Sequence, residues 1–285
     1  MSLRRLSLTI SSILLIVVLF ACAPSPTSAP SGSTSSPATL TENTVVATQP
    51  VSTTTVAENT AVPPTQPVNT AASGGCTNAY FPVTSGNNWS YSSSGNVLGA
   101  YTYTWTVTDV SDTGFTTSNQ YSSGVNATIK WNCQNGNLAE LDAGSNSLSM
   151  STSKVKMTTD SVTGEGYNIP ADFSTGATWS ESVTANETVI SGTKTINSQI
   201  VILTNCSAAG ADSITTTAGT FNTVKATCNQ TVTVSALLQG TPMPATPVMV
   251  SVTDWYAKGV GLVKSVRTSA ASGTETIVLT QYKIQ

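Results

Sequence analysis

The sequence predicts an all-β domain carried behind a long, low-complexity leader, and three observations predict it. Residues 99–110 alternate strictly. Tyr101, Tyr103, Trp105 and Val107 fall on one side, and Thr102, Thr104, Thr106 and Thr108 on the other. That period of two, in aromatic and β-branched residues, marks a half-buried strand. Similar segments recur from residue 114 to 284, separated by short turn-forming clusters. No window carries a 3.6-residue apolar period for more than two turns. Strands at such spacing predict an antiparallel β-sandwich or open β-barrel of about 10–12 strands, preceded by a disordered tether.

Residues 1–21 read as a lipoprotein signal peptide. Arg4 and Arg5 precede an apolar run from Ile13 to Phe20, which ends in Ala21-Cys22. A positive start, a short apolar segment and a small residue before the cut define a secretory signal. The run is shorter than the ~20 residues a spanning helix needs. Leu19-Phe20-Ala21-Cys22 resembles the bacterial lipobox, although Phe20 stands where a small or β-branched residue is usual. The resemblance implies that Cys22 is lipidated and becomes the first residue of the exported chain. An acyl anchor on Cys22 is therefore the expected link to the membrane. Stable anchoring takes two acyl signals, which a diacylglyceryl group with an N-acyl chain supplies. The expected location is extracytoplasmic, at the cell surface or in the periplasm.

Residues 22–75 read as a disordered tether. They hold eight of the 13 prolines and no Lys or Arg, and are otherwise mostly Ser, Thr, Ala, Val, Asn and Gln. Such a stretch cannot bury enough apolar surface to offset the entropy of ordering it. A degenerate repeat runs through it: Glu42-Asn43-Thr44 leads to Thr48-Gln49-Pro50-Val51, and Glu58-Asn59-Thr60 to Thr65-Gln66-Pro67-Val68. A coil of this length has a root-mean-square span of roughly 40 Å.

Residues 76–285 form the foldable domain. Beyond 99–110, strands are expected at 114–121, 125–133, 136–142, 147–157, 177–190, 194–205, 221–238, 247–257, 260–268 and 274–284. Turns are expected at Asp112-Thr113-Gly114, Asn135-Gly136-Asn137, Ala209-Gly210-Ala211 and Ser272-Gly273. Pro82-x3-Gly86-x2-Trp89-Ser90 is echoed by Pro170-x5-Gly176-x2-Trp179-Ser180, either a trace of two related halves or a local turn-into-strand device used twice.

Four cysteines follow Cys22, and an even number in an exported domain predicts two disulfides. Cys206–Cys228 is the favoured pair, because the two lie on neighbouring strand-like runs, which leaves Cys76–Cys133. No C-x-x-C spacing suggests a metal site, and no cofactor is expected.

Composition excludes several functions. Only 9% of residues are charged. Loss of Arg4 and Arg5 with the signal leaves nine basic and 14 acidic residues, a net charge of −5. No basic stripe exists for nucleic acid. The chain has no histidine, so Ser-His-Asp and Cys-His catalysis and histidine metal sites are absent. Carboxylates are the remaining acid/base candidates: Asp109 with Asp112, Glu140 with Asp142, Glu165 among glycines, and Asp254 beside Trp255. A glycosidase needs two such groups facing across a cleft. That ranks a carboxylate-based glycan hydrolase last, and the chain is expected not to be an enzyme.

Three segments carry a family resemblance. They are Tyr80-Phe81-Pro82-x3-Gly86-x2-Trp89-x-Tyr91, Ala218-Gly219-Thr220-Phe221-x-Thr223-Val224-Lys225, and Trp255 to Lys264 with Gly259 and Gly261. In this order they resemble a group of uncharacterised bacterial extracytoplasmic β-domains, often lipoproteins. The resemblance implies an all-β fold and assigns no catalytic or binding residue. Trp255-Tyr256 is expected to place one ring on each sheet face.

Residues 236–250 are uncharged and contain three prolines, so their middle cannot lie in a central strand. If exposed, Leu237, Leu238, Met243 and Met249 form an apolar contact loop; if folded back, they cap the core, which is the preferred reading. The expected role is a non-catalytic binding or structural module at the cell envelope, its partner an envelope glycan, protein or lipid. The alternative is a carrier of lipid or another apolar ligand in a half-barrel, its cavity lined by one or two of the five tryptophans.

Overall fold

A computed structural model describes residues 76–95, 99–141 and 155–285. The signal peptide, Cys22, the tether, Asp142 and most of the strand expected at 147–157 lie outside the described residues.

The domain is all-β. Thirteen strands are present among the described residues: β1 (Asn88–Ser94), β2 (Tyr101–Thr108), β3 (Gly114–Tyr121), β4 (Asn126–Gln134), β5 (Asn137–Glu140), β6 (Val155–Gly166), β7 (Thr178–Ser191), β8 (Lys194–Thr216), β9 (Gly219–Leu238), β10 (Thr241–Pro242), β11 (Val248–Ala257), β12 (Gly261–Ser269) and β13 (Gly273–Lys283). All pairings are antiparallel, and the sheet runs β5-β4-β3-β2-β1-β13-β12-β11-β9-β8-β7-β6, with β10 beside β9. Among the described residues consecutive strands pair, except β5 with β6, which lie at the two ends of the sheet, and β10, which pairs with β9 alone; β13 returns to β1 and joins the two halves of the meander.

The sheet curls until its ends meet. Leu138 of β5 forms an antiparallel bridge with Ile169, just past β6. The Leu138 N–H donates to the Ile169 carbonyl at 2.8 Å, and the Ile169 N–H donates back at 3.1 Å. Closure of this kind removes exposed sheet edges. The result is a nearly closed barrel.

Alternation sets what faces inward, as a period-two pattern must. β4 reads exposed–buried throughout, with Ala127, Ile129, Trp131 and Cys133 inside. One end of the interior is filled with rings. Phe81, on the segment before β1, lies 5.1 Å from Trp89, 5.6 Å from Phe115 and 5.5 Å from Trp131 between centroids. Large fully buried rings of this kind dominate core energetics. A separate aliphatic cluster of Val183, Ala185, Ile200 and Ile202 lines the β7–β8 wall.

The two Gly-x-x-Trp segments fold alike. The Gly86 N–H donates to Val107 and the Val107 N–H to Asn87; likewise Gly176 donates to Ala208 and Ala208 to Ala177. Both tryptophans are buried and each indole donates to a carbonyl, Trp89 to Val260 at 2.5 Å and Trp179 to Asn168 at 3.2 Å. Each packs on a preceding phenylalanine, Phe81 or Phe173. The segment is a device for entering the barrel, used once in each half.

Ala209-Gly210-Ala211 is not a turn: β8 runs through it to Thr216, and the register shifts between Ala208 and Gly210. Gly210 has φ 108°, which a bulge accommodates and most side chains resist. The described end of the strand expected at 147–157 lies in β6, which runs on to Gly166, glycines included. β1 follows Gly86, as the turn-into-strand reading of that segment implies. The structure joins Cys76 to Cys133 and Cys206 to Cys228.

Candidate functional site: a cavity at the barrel seam

A cavity of about 110 Å³ opens inside the barrel beside the seam. The paired registers set its wall residues, and the residues beside them, in rows. Trp179, Cys206, Cys228, Val252, Arg267 and Glu275 follow one another across β7, β8, β9, β11, β12 and β13. The next row holds Glu181, Thr204 and Gln230. The row on the opposite side of it holds Ala226, Asp254, Ser265 and Ile277. Three aromatic side chains, Phe81, Trp105 and Trp131, form the ringed wall, and Tyr256, Val183, Ile202 and Ile169 add apolar surface.

Polar groups enter this apolar shell at three places. At the seam, Asn168 Nδ2 donates to Glu140 Oε2 at 3.2 Å, which fixes the Asn168 amide with its Oδ1 free to accept. Glu181, on β7, is only 9% exposed. Burial dominates its environment and pushes its carboxyl up to about 7, opposed only by the Glu140 main-chain N–H. Across the cavity, Asp254 is raised by burial, with Arg267, Ser265 and Tyr256 acting against the rise. Tyr256 Oη donates to Asp254 Oδ2 at 3.3 Å. Arg267 is held charged by Asp254, then by Tyr103, Glu275 and Tyr101. Glu275 in turn accepts from Ser93 Oγ at 2.5 Å and Tyr101 Oη at 2.7 Å.

Buried polar atoms on this lining without a hydrogen-bond partner in the protein include Glu181 Oε1, Asn168 Oδ1 and Trp105 Nε1. Buried polar groups are almost always hydrogen-bonded, and unsatisfied ones are costly. These atoms put both acceptors and a donor on the one lining.

The sequence-derived candidates divide. Glu140 and Asp254 line the cavity, whereas Glu165 and Asp109 are exposed on the outside. Glu181 and Arg267 were not singled out. Trp255 and Tyr256 do face opposite ways. Tyr256 lines the cavity, and Trp255 packs outside under Lys264 at 4.9 Å and Lys225 at 5.8 Å while its indole donates to Asp212 at 2.8 Å. The 236–250 segment does not cap the core. Leu238 and Met249 are each 62% exposed, Met243 is 45% exposed, and Leu237 is half-buried. Its prolines remove ladder donors, so the chain loops out past the end of β9. Among the described residues no group of three His, Cys, Asp or Glu side chains is gathered for a metal.

Residues 90–268 match the model of the DUF3108-like family. The chain belongs to the DUF3108-like family. Two solved structures are similar to it. One is a candidate lipoprotein from Parabacteroides distasonis ATCC 8503, with TM-score 0.48 and 21% identity, covering 72% of this chain and 99% of that one. The other is a candidate exported protein with a YmcC-like fold from Bacteroides fragilis NCTC 9343, with TM-score 0.44 and 14% identity, covering 73% of this chain and all of that one. No curated protein matches the chain.

Proposed function

We propose that this DUF3108-like chain is a lipid-anchored, non-catalytic binding module of the cell envelope. In this reading Cys22 carries the acyl anchor, residues 22–75 tether the barrel, and the barrel holds a small ligand group in the seam cavity. The observation that carries the reading is the cavity itself, an aromatic-walled space lined by buried polar atoms that the protein leaves without partners. Among the described residues its lining holds no Ser, Cys thiol or Lys beside a base, and the chain has no histidine.

The size of the cavity weighs against the carrier reading. Sites that enclose drug-sized ligands run to roughly 300–1,000 Å³. A cavity of about 110 Å³ suits a few heavy atoms or the head of a larger molecule, not a whole acyl chain. Its charged lining also argues against a purely apolar cargo.

Native mass spectrometry of the exported, non-reduced chain tests this reading. A covalent acyl mass on Cys22, together with a second mass lost on denaturation, supports it. A chain that carries neither contradicts it.

A further inference from the structure

We propose that the seam cavity is a site for the ammonium group of a small organic amine, with Glu181 as its counter-ion and the rings of Phe81, Trp105 and Trp131 as its apolar wall. The inference rests on the reading of the cavity as a ligand site and adds the chemical class of the ligand.

The argument starts from Glu181. Its side chain is more than nine-tenths buried and lines the cavity, and its Oε1 has no partner in the protein. A buried carboxylate is costly unless a cation or several donors meet it. Only the Glu140 main-chain N–H acts in favour of its charged form. Burial and that one N–H are what set its charge among the described residues.

Every charged or titratable group that faces Glu181 across the cavity is accounted for. Glu140, on β5, accepts from Asn168. Asp254, on β11, and Arg267, on β12, act on each other, and Glu275 on β13 adds to the hold on Arg267. Tyr256 on β11 donates to Asp254. The lining thus carries three carboxylates, Glu140, Glu181 and Asp254, against the single guanidinium of Arg267. Asp254 and Arg267 act on each other, so Glu181 is the carboxylate that a cationic ligand meets.

The hydrogen-bonding inventory agrees. Glu181 Oε1 and Asn168 Oδ1 are both unmet acceptors, and a primary ammonium brings three donors. The aromatic wall suits the same group, because a desolvated cation near a tryptophan face gains cation–π attraction. The unmatched Trp105 N–H leaves one donor for a polar oxygen on the ligand.

The test is a calorimetric titration of the full, non-reduced chain with benzylammonium and with its neutral isostere benzyl alcohol. The ammonium is expected to bind at least tenfold more tightly than the alcohol at pH 8. Its affinity should fall about tenfold between pH 8 and pH 6, as Glu181 takes up its proton near pH 7. The E181Q variant should lose the preference while keeping its thermal stability at pH 8. Equal binding of both probes, or an unchanged preference in E181Q, overturns the amine assignment and leaves the cavity a ligand site. Failure of both probes to bind removes the amine site and the cavity reading together, and means that the unmet polar atoms are served by water alone. The pH dependence of the unaltered chain keeps the test decisive if E181Q folds poorly.

Discussion

Leu138 and Ile169 close the barrel: two residues on opposite edges of the sheet exchange main-chain hydrogen bonds at 2.8 and 3.1 Å. The contact is short, so other groups must hold the seam, and two of them, Asn168 and Glu140, also line the cavity. Asn137 Oδ1 accepts from the Ala171 N–H at 2.8 Å. Asn168 reaches back to Glu140. The seam is therefore a lattice of side-chain amides on backbone, not a continuous ladder.

The buried Asn78 is the most direct test of that lattice. Its Nδ2 donates to Gly136 O at 2.7 Å and Pro170 O at 3.0 Å, one carbonyl on each side of the seam, while its Oδ1 accepts from the Tyr80 N–H at 2.8 Å. Three bonds of ordinary net worth make Asn78→Ala cost about 2–4 kcal/mol. Denaturant unfolding measures the loss. Hydrogen exchange should show Leu138 and Ile169 amides losing protection before those of β8 and β9.

Glu181 gives the barrel a pH dependence of stated sign. Burial raises its folded-state carboxyl from the ordinary 4.5 to about 7. Between those values the folded chain keeps a proton that the unfolded chain has released, so stability falls as pH rises, by up to about 3 kcal/mol, and levels off above pH 7. Asp254 is raised by burial and acts in the same direction. Urea midpoints from pH 4 to 8 should therefore decline, and E181Q should decline less. A midpoint that climbs through this range contradicts the burial of Glu181.

The Cys76–Cys133 disulfide ties the segment that carries Phe81 to β4 across 57 residues. The chain-entropy model makes a loop of that length worth about 4 kcal/mol, against about 3 kcal/mol for the 22-residue span of Cys206–Cys228. Replacing Cys76 and Cys133 by serine should lower the melting temperature more than replacing Cys206 and Cys228. Phe81 fluorescence neighbours Trp89 and Trp131 should redden in the first pair of variants and not in the second.

Residues 240–246 should be dispensable for folding. They are exposed and contribute only the short β10 pairing to β9 and the Met243 N–H to Ala236 bond. Deleting them is expected to cost about 1 kcal/mol or less. A large drop in melting temperature would restore the capping role that the sequence suggested.

Much of this architecture was legible beforehand, for a physical reason. Period-two burial is written directly into β2, β4 and β7, and the two Gly-x-x-Trp segments announced how the chain enters the barrel. β8 was misread because a glycine with a positive φ signals a bulge and a turn equally well. The site was harder. Glu181 sits between Trp179 and Val183 in a strict alternation, and Asp254 between Val252 and Tyr256, so period two alone puts both inside. Arg267 follows Ser265 in the same way. What alternation cannot supply is partnership across the barrel. The convergence of β5, β7, β11 and β12 on one cavity depends on the curl of the sheet, which no local window contains.

The most direct test of the cavity is the set of five tryptophan indole N–H resonances, followed by NMR as benzylammonium is added to the full, non-reduced chain. Trp105 has an unpartnered N–H on the lining, Trp131 lines the same wall with its N–H bonded to Thr117 at 3.1 Å, and Trp255 lies outside against Asp212. Shifts at Trp105 and Trp131, with Trp255 unmoved, are the predicted result. Shifts confined to Trp255, or none at saturating probe, would contradict a ligand site inside the barrel.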